Sequence, residues 1–134
     1  MLQFHWSETS SAPAGDLAEG GGDASVNLRQ LIDCVVASTF NIDFGSIAGP
    51  TRGQARIALA RQIAMYLAHV VFGLALTDVG RLFHRDRTTV RHACAIIEDR
   101  RDDKTFDHMI SRLEQIVLHC AVKMGISVSH LVAL

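Results

Sequence analysis

The amino-acid sequence predicts an all-α fold, a small bundle of about five helices. Apolar residues recur at three- and four-residue spacing in successive segments, as one buried face of a helix requires. Glycine, proline or short polar turns separate these segments. No two neighbouring segments alternate apolar and polar residues in the way that paired strands would. The chain has 134 residues, which suits one small domain with a tail.

The predicted helices follow one another along the chain. Helical spacing places them over residues 26–40, 53 or 54–72, 76–83, 87–101 and 104–124. The connector 41–50 contains two glycines and a proline, and Gly73 is placed to end the second helix as a left-handed glycine. The last helix carries one apolar stripe, formed by Phe106, Met109, Ile110, Leu113, Ile116, Val117 and Cys120.

The two ends of the chain differ in composition from this middle part. Residues 1–24 are rich in serine, alanine, glycine and acidic residues, which predicts a disordered acidic tail. Such a tail either solubilises the protein or screens a basic segment of the same chain. The predicted domain covers residues 25–125, and residues 126–134 form an apolar tail.

Several observations bear on location. The N-terminus lacks a cationic region followed by an apolar one, so we expect no signal peptide. The longest uncharged stretch, 62–77, has 16 residues, fewer than the ~20 that span a bilayer. Cys34, Cys94 and Cys120 are odd in number and far apart, which favours reduced, buried thiols. We therefore expect a cytoplasmic protein without membrane contact.

Charge is unevenly distributed along the chain. Residues 1–50 hold one basic and six acidic residues, whereas residues 51–101 hold nine arginines, no lysine and four acidic residues. Guanidinium groups suit phosphates and guanine edges, so the arginine block favours an anionic partner. The alternative is a solvated helix face, and charge alone does not separate the two.

The segment 74–101 fits a helix-turn-helix, which needs two short helices with apolar residues locking the turn. The predicted inner residues are Leu76, Val79, Leu82 and Phe83 on the first helix, and Val90, Ala93, Cys94 and Ile97 on the second. Gly80 would let the helices approach closely, and Asp86 is a suitable N-cap for the second helix. Arg87 and Arg91 then project together on the outer side, with Thr88 and His92 beside them. This arrangement predicts a recognition helix for the major groove of double-stranded DNA.

Three motifs in order carry a family resemblance. Residues 61–67 read RQIAMYL, residues 76–83 read LTDVGRLF, and residues 85–94 read RDRTTVRHAC. Over about residues 28–103 the chain resembles the C-terminal DNA-binding domain of the bacterial replication initiator DnaA, whose pattern is close to RQIAMYLA, then LPEIG..FGGRDHTTVLHA. The resemblance implies a helical bundle with a helix-turn-helix, of the kind also seen in the Trp repressor, that binds a short DNA box. The ATPase portion of that initiator is not present in these residues.

Carried over position by position, the resemblance implies roles for individual residues. Together with the outward face of the helix, it gives Asp86, Arg87, Thr88 and Arg91 as base-reading residues. The residues expected at the DNA backbone or minor groove are Arg52, Arg56, His69, Thr77, Arg85, Thr89 and His92. The family has a basic arm before its long helix that reaches the minor groove. The nearest match to that arm here is Arg52, and the second is Arg56. His84 and His92 would contact phosphates when protonated.

The chain departs from the family pattern at several of these positions. Arg87 stands where the family has histidine, Arg91 where it has an apolar residue, and His84 replaces the paired glycines and shortens the turn. His69 replaces a lysine, and Thr77 replaces a proline. We therefore expect an altered DNA site, richer in guanine opposite Arg87 and Arg91.

The first functional hypothesis is a sequence-specific transcriptional regulator, and the second is a modulator of replication initiation that binds origin boxes. The third is a protein-interaction module with an acidic partner. The sequence predicts no metal site, because the histidines and cysteines lack ligand spacing. It also predicts no enzyme, no cofactor and no small-molecule substrate. The apolar surface of residues 104–134 packs on the bundle or, as an alternative, forms a homodimer.

Overall fold

The computed structural model describes residues 20–42, 47 and 55–126, with side chains of the first helix described from residue 27. The described residues form five helices: α1 Gly20–Phe40, α2 Ala55–Val70, α3 Leu76–Phe83, α4 Arg87–Arg100 and α5 Lys104–Lys123. No strand occurs among them. The predicted all-α fold is therefore confirmed, and each predicted helix is found within about two residues of its expected bounds except at the start of α1.

Helix α1 contributes one apolar face to the core, with Leu28, Leu31, Ile32 and Val36 buried. It ends at Asn41, whose φ of 55° lies in the left-handed region. The Asn41 and Ile42 amides donate to the Ser38 and Ala37 carbonyls, so two carbonyls of the last turn are satisfied. The helix begins at Gly20, and five residues assigned to the disordered tail are thus helical. The predicted start at residue 26 was too late, since the apolar pattern locates the packed part of a helix and not the turns that continue beyond it.

Helix α2 is the centre of the bundle. A continuous run from Ile63 to Ala68 is buried, and α2 packs against α1, α3 and α4. A helix that is apolar around most of its circumference must lie inside the domain, and this one does. Gly73 follows with a φ of 68°, as predicted, and turns the chain toward α3.

Helices α3 and α4 form the helix-turn-helix. Val79 and Phe83 of α3, and Val90, Ala93 and Ile97 of α4, are buried as predicted, while Leu76, Leu82 and Cys94 are partly buried against the same core. Gly80 lies directly against the turn: a Cβ placed there would be 2.5 Å from the Arg85 carbonyl oxygen. The Arg85 amide donates to the Gly80 carbonyl at 2.9 Å. The close packing expected of Gly80 is confirmed.

Helix α5 packs mainly on α1, through Phe106, Ile110, Leu113, Val117 and Ala121. Ile116, predicted to lie on the buried stripe, is 41% exposed, because the contact with α1 covers a narrower face than the sequence pattern suggested. Arg101, just after α4, joins this end of the bundle through hydrogen bonds to Asp107, Tyr66, Glu114 and Ser111. Burial opposes the charge of Arg101, but these hydrogen bonds prevail and raise its pKa.

Two further expectations concern cysteines and membranes. The three cysteines are free, as expected, but Cys34 is exposed because it lies on the side of α1 opposite Ile32 and Val36. None of the described helices combines the length and the apolar character needed to cross a membrane. Residues 1–19, most of the predicted connector, and residues 127–134 of the apolar tail lie outside the described residues.

The contact between Gly80 and Arg85 makes a testable prediction. Replacing glycine by alanine within a helix usually stabilises, but Gly80→Ala forces the α3–α4 turn apart and should lower the free energy of unfolding by about 2 kcal/mol or more. Urea denaturation followed by circular dichroism measures this. Gly125→Ala is the control, since no atom lies within 4 Å of the added Cβ there and only backbone strain applies. Equal losses in the two variants would contradict the prediction.

Candidate nucleic-acid interface

The N-terminus of α4 is organised by its capping residue. The Asp86 carboxylate accepts a hydrogen bond from the Thr89 amide at 2.9 Å, which confirms the predicted N-cap. This backbone hydrogen bond, together with one from the Thr89 side chain, lowers the pKa of Asp86, so the carboxylate stays ionised. Asp86, Thr88 and Thr89 are all exposed, and the first turn of α4 therefore presents polar groups to solvent.

Two of the three arginines of α4, Arg87 and Arg91, lie on a side of the helix away from its buried residues. Arg87 and Arg91 are exposed, one turn apart, while Val90 and Ala93 face the core. Neither guanidinium forms an ion pair with any residue in the described part of the chain. His92 is exposed on the same helix. Two neighbouring cations without a protein counterion can both bind an anionic surface.

The turn before α4 is held in an unusual conformation. His84 has φ 58° and ψ 45°, in the left-handed region where glycine is the usual residue. The Arg85 side chain folds back, and its Nη1 donates to the carbonyls of Phe83 and His84 at 3.3 and 3.2 Å. Arg85 is therefore partly engaged with its own turn, while the rest of its guanidinium is available to a ligand.

His69 and Thr77 lie near the junction of α2 and α3. His69 Nδ1 is 2.7 Å from the Leu74 carbonyl oxygen, and since a carbonyl only accepts, Nδ1 carries the proton. The remaining ring nitrogen can donate to a phosphate only when the ring is cationic. Thr77 is exposed in the first turn of α3, whose N-cap, Ala75, provides no side-chain hydrogen bond. The amides of that turn can therefore bind an anion.

The basic arm is only partly described. Arg56 is exposed at the second position of α2, whereas Arg52 lies outside the described residues. The roles assigned to these residues stay predictions.

Sequence reasoning missed a charged cluster behind the turn. Arg29 and Asp33 of α1 are buried and joined by an ion pair of 2.7 Å. Burial raises the pKa of Asp33 to about 6, although Arg29 and Arg61 favour its charged form. Burial and then the charge of Arg85 lower the pKa of Arg61. The signal was present in the sequence, because Arg29 and Asp33 share a helical face with the buried Ile32 and Val36.

Three other hypotheses concern a reactive thiol, a metal site and self-association. Burial, with the charge of Glu98, raises the pKa of the Cys94 thiol to about 11, which keeps it protonated. Residues 20–42, 47 and 55–126 contain no group of three or more histidine, cysteine or acidic side chains that could hold a metal ion. Ile116 and Val122 of α5 and its C-cap residue Met124 are exposed apolar residues. The homodimer through residues 104–134, the alternative to packing on the bundle, stays a prediction.

Comparison with known protein families gives one clear match. Residues 30–97 match the family described as the bacterial dnaA protein helix-turn-helix. This range includes α2, α3 and the buried part of α4.

Individual relatives agree with the family match. The chain is 44% identical over 70 residues to the chromosomal replication initiator protein DnaA of Bifidobacterium animalis, covering 52% of this chain and 12% of that protein. It is 36% identical over 100 residues to the DnaA of Lachnoclostridium phytofermentans, covering 73% and 22%. A crystal structure of a DNA replication initiation factor superposes with a TM-score of 0.62 at 33% identity, over 70% of this chain and 29% of that one. The chain thus spans less than a quarter of the length of these curated relatives.

The left-handed residue in the turn makes a second prediction. His84→Val should lower the free energy of unfolding by about 1–3 kcal/mol, because a β-branched side chain is strained at positive φ. His84→Gly should stay within about 1 kcal/mol of the wild type, since glycine adopts this conformation freely. Thermal unfolding of the two variants side by side measures the difference. Equal stability of the valine and glycine variants would show that the turn does not hold residue 84 at positive φ.

Proposed function

The chain belongs to the family of the bacterial DnaA helix-turn-helix, and from this premise we propose that it binds double-stranded DNA as a modulator of replication initiation. The observation that carries the proposal is the pair of exposed arginines on the capped N-terminal half of α4, in a chain whose relatives are replication initiators. Such a helix can enter the major groove, where arginine binds guanine O6 and N7.

This proposal favours a role in replication initiation over a role in transcription. The sequence pattern first favoured a transcriptional regulator, but both kinds of protein use the same helix-turn-helix chemistry and differ only in where they bind. The named relatives are initiators, and no comparison supports a role in transcription. A chain of this family that binds at origin boxes would compete with the initiator or assist it there.

The interface divides into two sets of contacts. Arg87, Thr88 and Arg91 read base edges, and Asp86 accepts from a cytosine amino group while it caps α4. The sugar-phosphate backbone and minor groove are contacted by Arg52, Arg56, His69, Thr77, Arg85, Thr89 and His92. The phosphate contacts give affinity and orientation, whereas the base contacts give specificity. The protein would act as a nucleoid-associated binding protein and not as an enzyme.

A protein partner with an acidic surface is the rival explanation for the exposed arginines. Salt dependence and sequence preference separate the two. DNA binding should weaken steeply with salt, in proportion to the number of phosphates neutralised, and should prefer a selected duplex over a random one. A protein that does not discriminate between the two duplexes would contradict the proposal.

The base-reading role of Arg87 can be tested with a matched charge deletion. Arg87→Ala should weaken binding to the selected duplex by about 1–3 kcal/mol and relax specificity at one base position. Arg112→Ala removes the same charge from an exposed site on α5 and should leave that specificity unchanged. Fluorescence anisotropy with selected and singly substituted duplexes measures both. Equal losses for the two variants would mean that Arg87 contributes only net charge.

The departures from the family pattern predict an altered site. Site selection from random duplex should return a box that is richer in guanine than that of the initiator, opposite Arg87 and Arg91. The double variant Arg87→His/Arg91→Leu carries residues of the family kind at both positions, and its selected box should lose those guanines. The idea fails if the wild type and the double variant select the same sequence.

A further inference from the structure

Arg29 is one of the most completely buried side chains in the described part of the protein, with 1% of its surface exposed. Its Nε donates to Asp33 Oδ2 at 2.7 Å, and its Nη1 donates to the Leu82 carbonyl at 2.6 Å. The guanidinium also lies 4.0 Å from the centre of the Phe83 ring. One side chain of α1 thus engages both of the last two residues of α3.

The Leu82 carbonyl matters because it belongs to the last turn of α3. The last four carbonyls of a helix have no partner within the helix, and Arg29 provides one for Leu82. Two residues after Leu82 comes His84, the turn residue with left-handed backbone, and Asp86 then caps α4. Arg29 therefore anchors the beginning of the turn that leads into the proposed recognition helix.

Asp33 links Arg29 to a second, partly exposed arginine, Arg61. Its carboxylate is 2% exposed, and Oδ1 has no hydrogen-bond partner. The charges of Arg29 and Arg61 both act on Asp33, and the charge of Arg85 acts on both of these arginines. The Asp33 carboxylate thus lies near two arginines, Arg29 and Arg61, and Arg85 lies near both of these. Arg61 and Arg85 are partly exposed.

We propose that Arg29 and Asp33 are positioning residues for DNA recognition, which fix the α3–α4 turn without contacting DNA themselves. Their burial keeps both away from any ligand. A buried ion pair adds little stability over apolar packing, because desolvation offsets its attraction. The contribution of this pair is therefore the orientation of the turn. The proposal rests on the proposed DNA binding and adds residues of α1 to its machinery.

The test replaces the pair by apolar residues of similar size. Arg29→Met/Asp33→Leu removes both charges together, so no buried charge is left without a partner, and it deprives the Leu82 carbonyl of its donor. Arg29→Lys keeps the charge but not the planar fork that reaches Asp33 and Leu82 at once. Tyr66→Phe is the control, because it removes a hydroxyl bonded to Glu98 and Arg101 at the other end of α4.

The readout is discrimination between a selected and a random duplex, measured beside thermal stability and the salt dependence of binding. The double variant and Arg29→Lys should lose about tenfold in affinity for the selected duplex and stay within about twofold for the random duplex, with an unchanged salt slope. The affinity for the random duplex and the salt slope should stay because both variants retain every exposed arginine. Tyr66→Phe should lower the unfolding temperature while discrimination stays at the wild-type value.

The outcomes separate the two proposals. Affinities for both duplexes that stay unchanged, or that fall by the same factor, would overturn the positioning role. If the double variant does not fold, the affinities of Arg29→Lys for the selected and the random duplex test the positioning role instead. A wild-type protein that binds both duplexes equally would instead overturn the proposed function, since discrimination would be absent before any substitution.

Discussion

The angle between α3 and α4 depends on a single close approach, that of Gly80 to the Arg85 carbonyl. A hydrogen in place of a side chain lets the turn fold onto α3, and the Arg85 amide completes the contact through the Gly80 carbonyl. This geometry directs α4 outward, so that Val90, Ala93 and Ile97 enter the core while Arg87 and Arg91 remain outside. The exposure of Arg87 and Arg91 thus follows from a constraint at the buried Gly80.

Two polar anchors lie on either side of α4. Before α4, at the end of α3, Arg29 of α1 bonds the Leu82 carbonyl. After α4, Arg101 bonds Tyr66, Asp107 and Glu114. Burial of the Tyr66 hydroxyl, together with its hydrogen bond to Glu98, raises the pKa of Tyr66 to about 12, although Arg101 acts in the opposite direction. The hydroxyl therefore remains protonated and donates to Glu98. Directional bonds at both ends fix orientation in a way that apolar contacts, which have no direction, cannot.

The family relationship and the local chemistry point to the same surface. The match over residues 30–97 covers the packing that positions α4, while the departures at residues 84, 87 and 91 fall on the turn and the exposed face. A core shared with initiators and an altered face are compatible, because burial constrains the inner residues and solvent leaves the outer ones free to change. The proposed difference in DNA site therefore needs no difference in fold.

The sequence by itself determined the helices, the inner faces of α3 and α4, the cap at Asp86 and the outward direction of Arg87 and Arg91. These depend on spacing and capping within a few residues, which are local properties. Only the tertiary structure decided that Arg29 and Asp33 are buried, that Cys34 and Ile116 are exposed, and that Arg85 lies beside the charged cluster. Each of these depends on which neighbouring helix covers a given face. Periodicity gives the direction of a side chain on its own helix, but the partner in space decides whether that side chain meets water or protein.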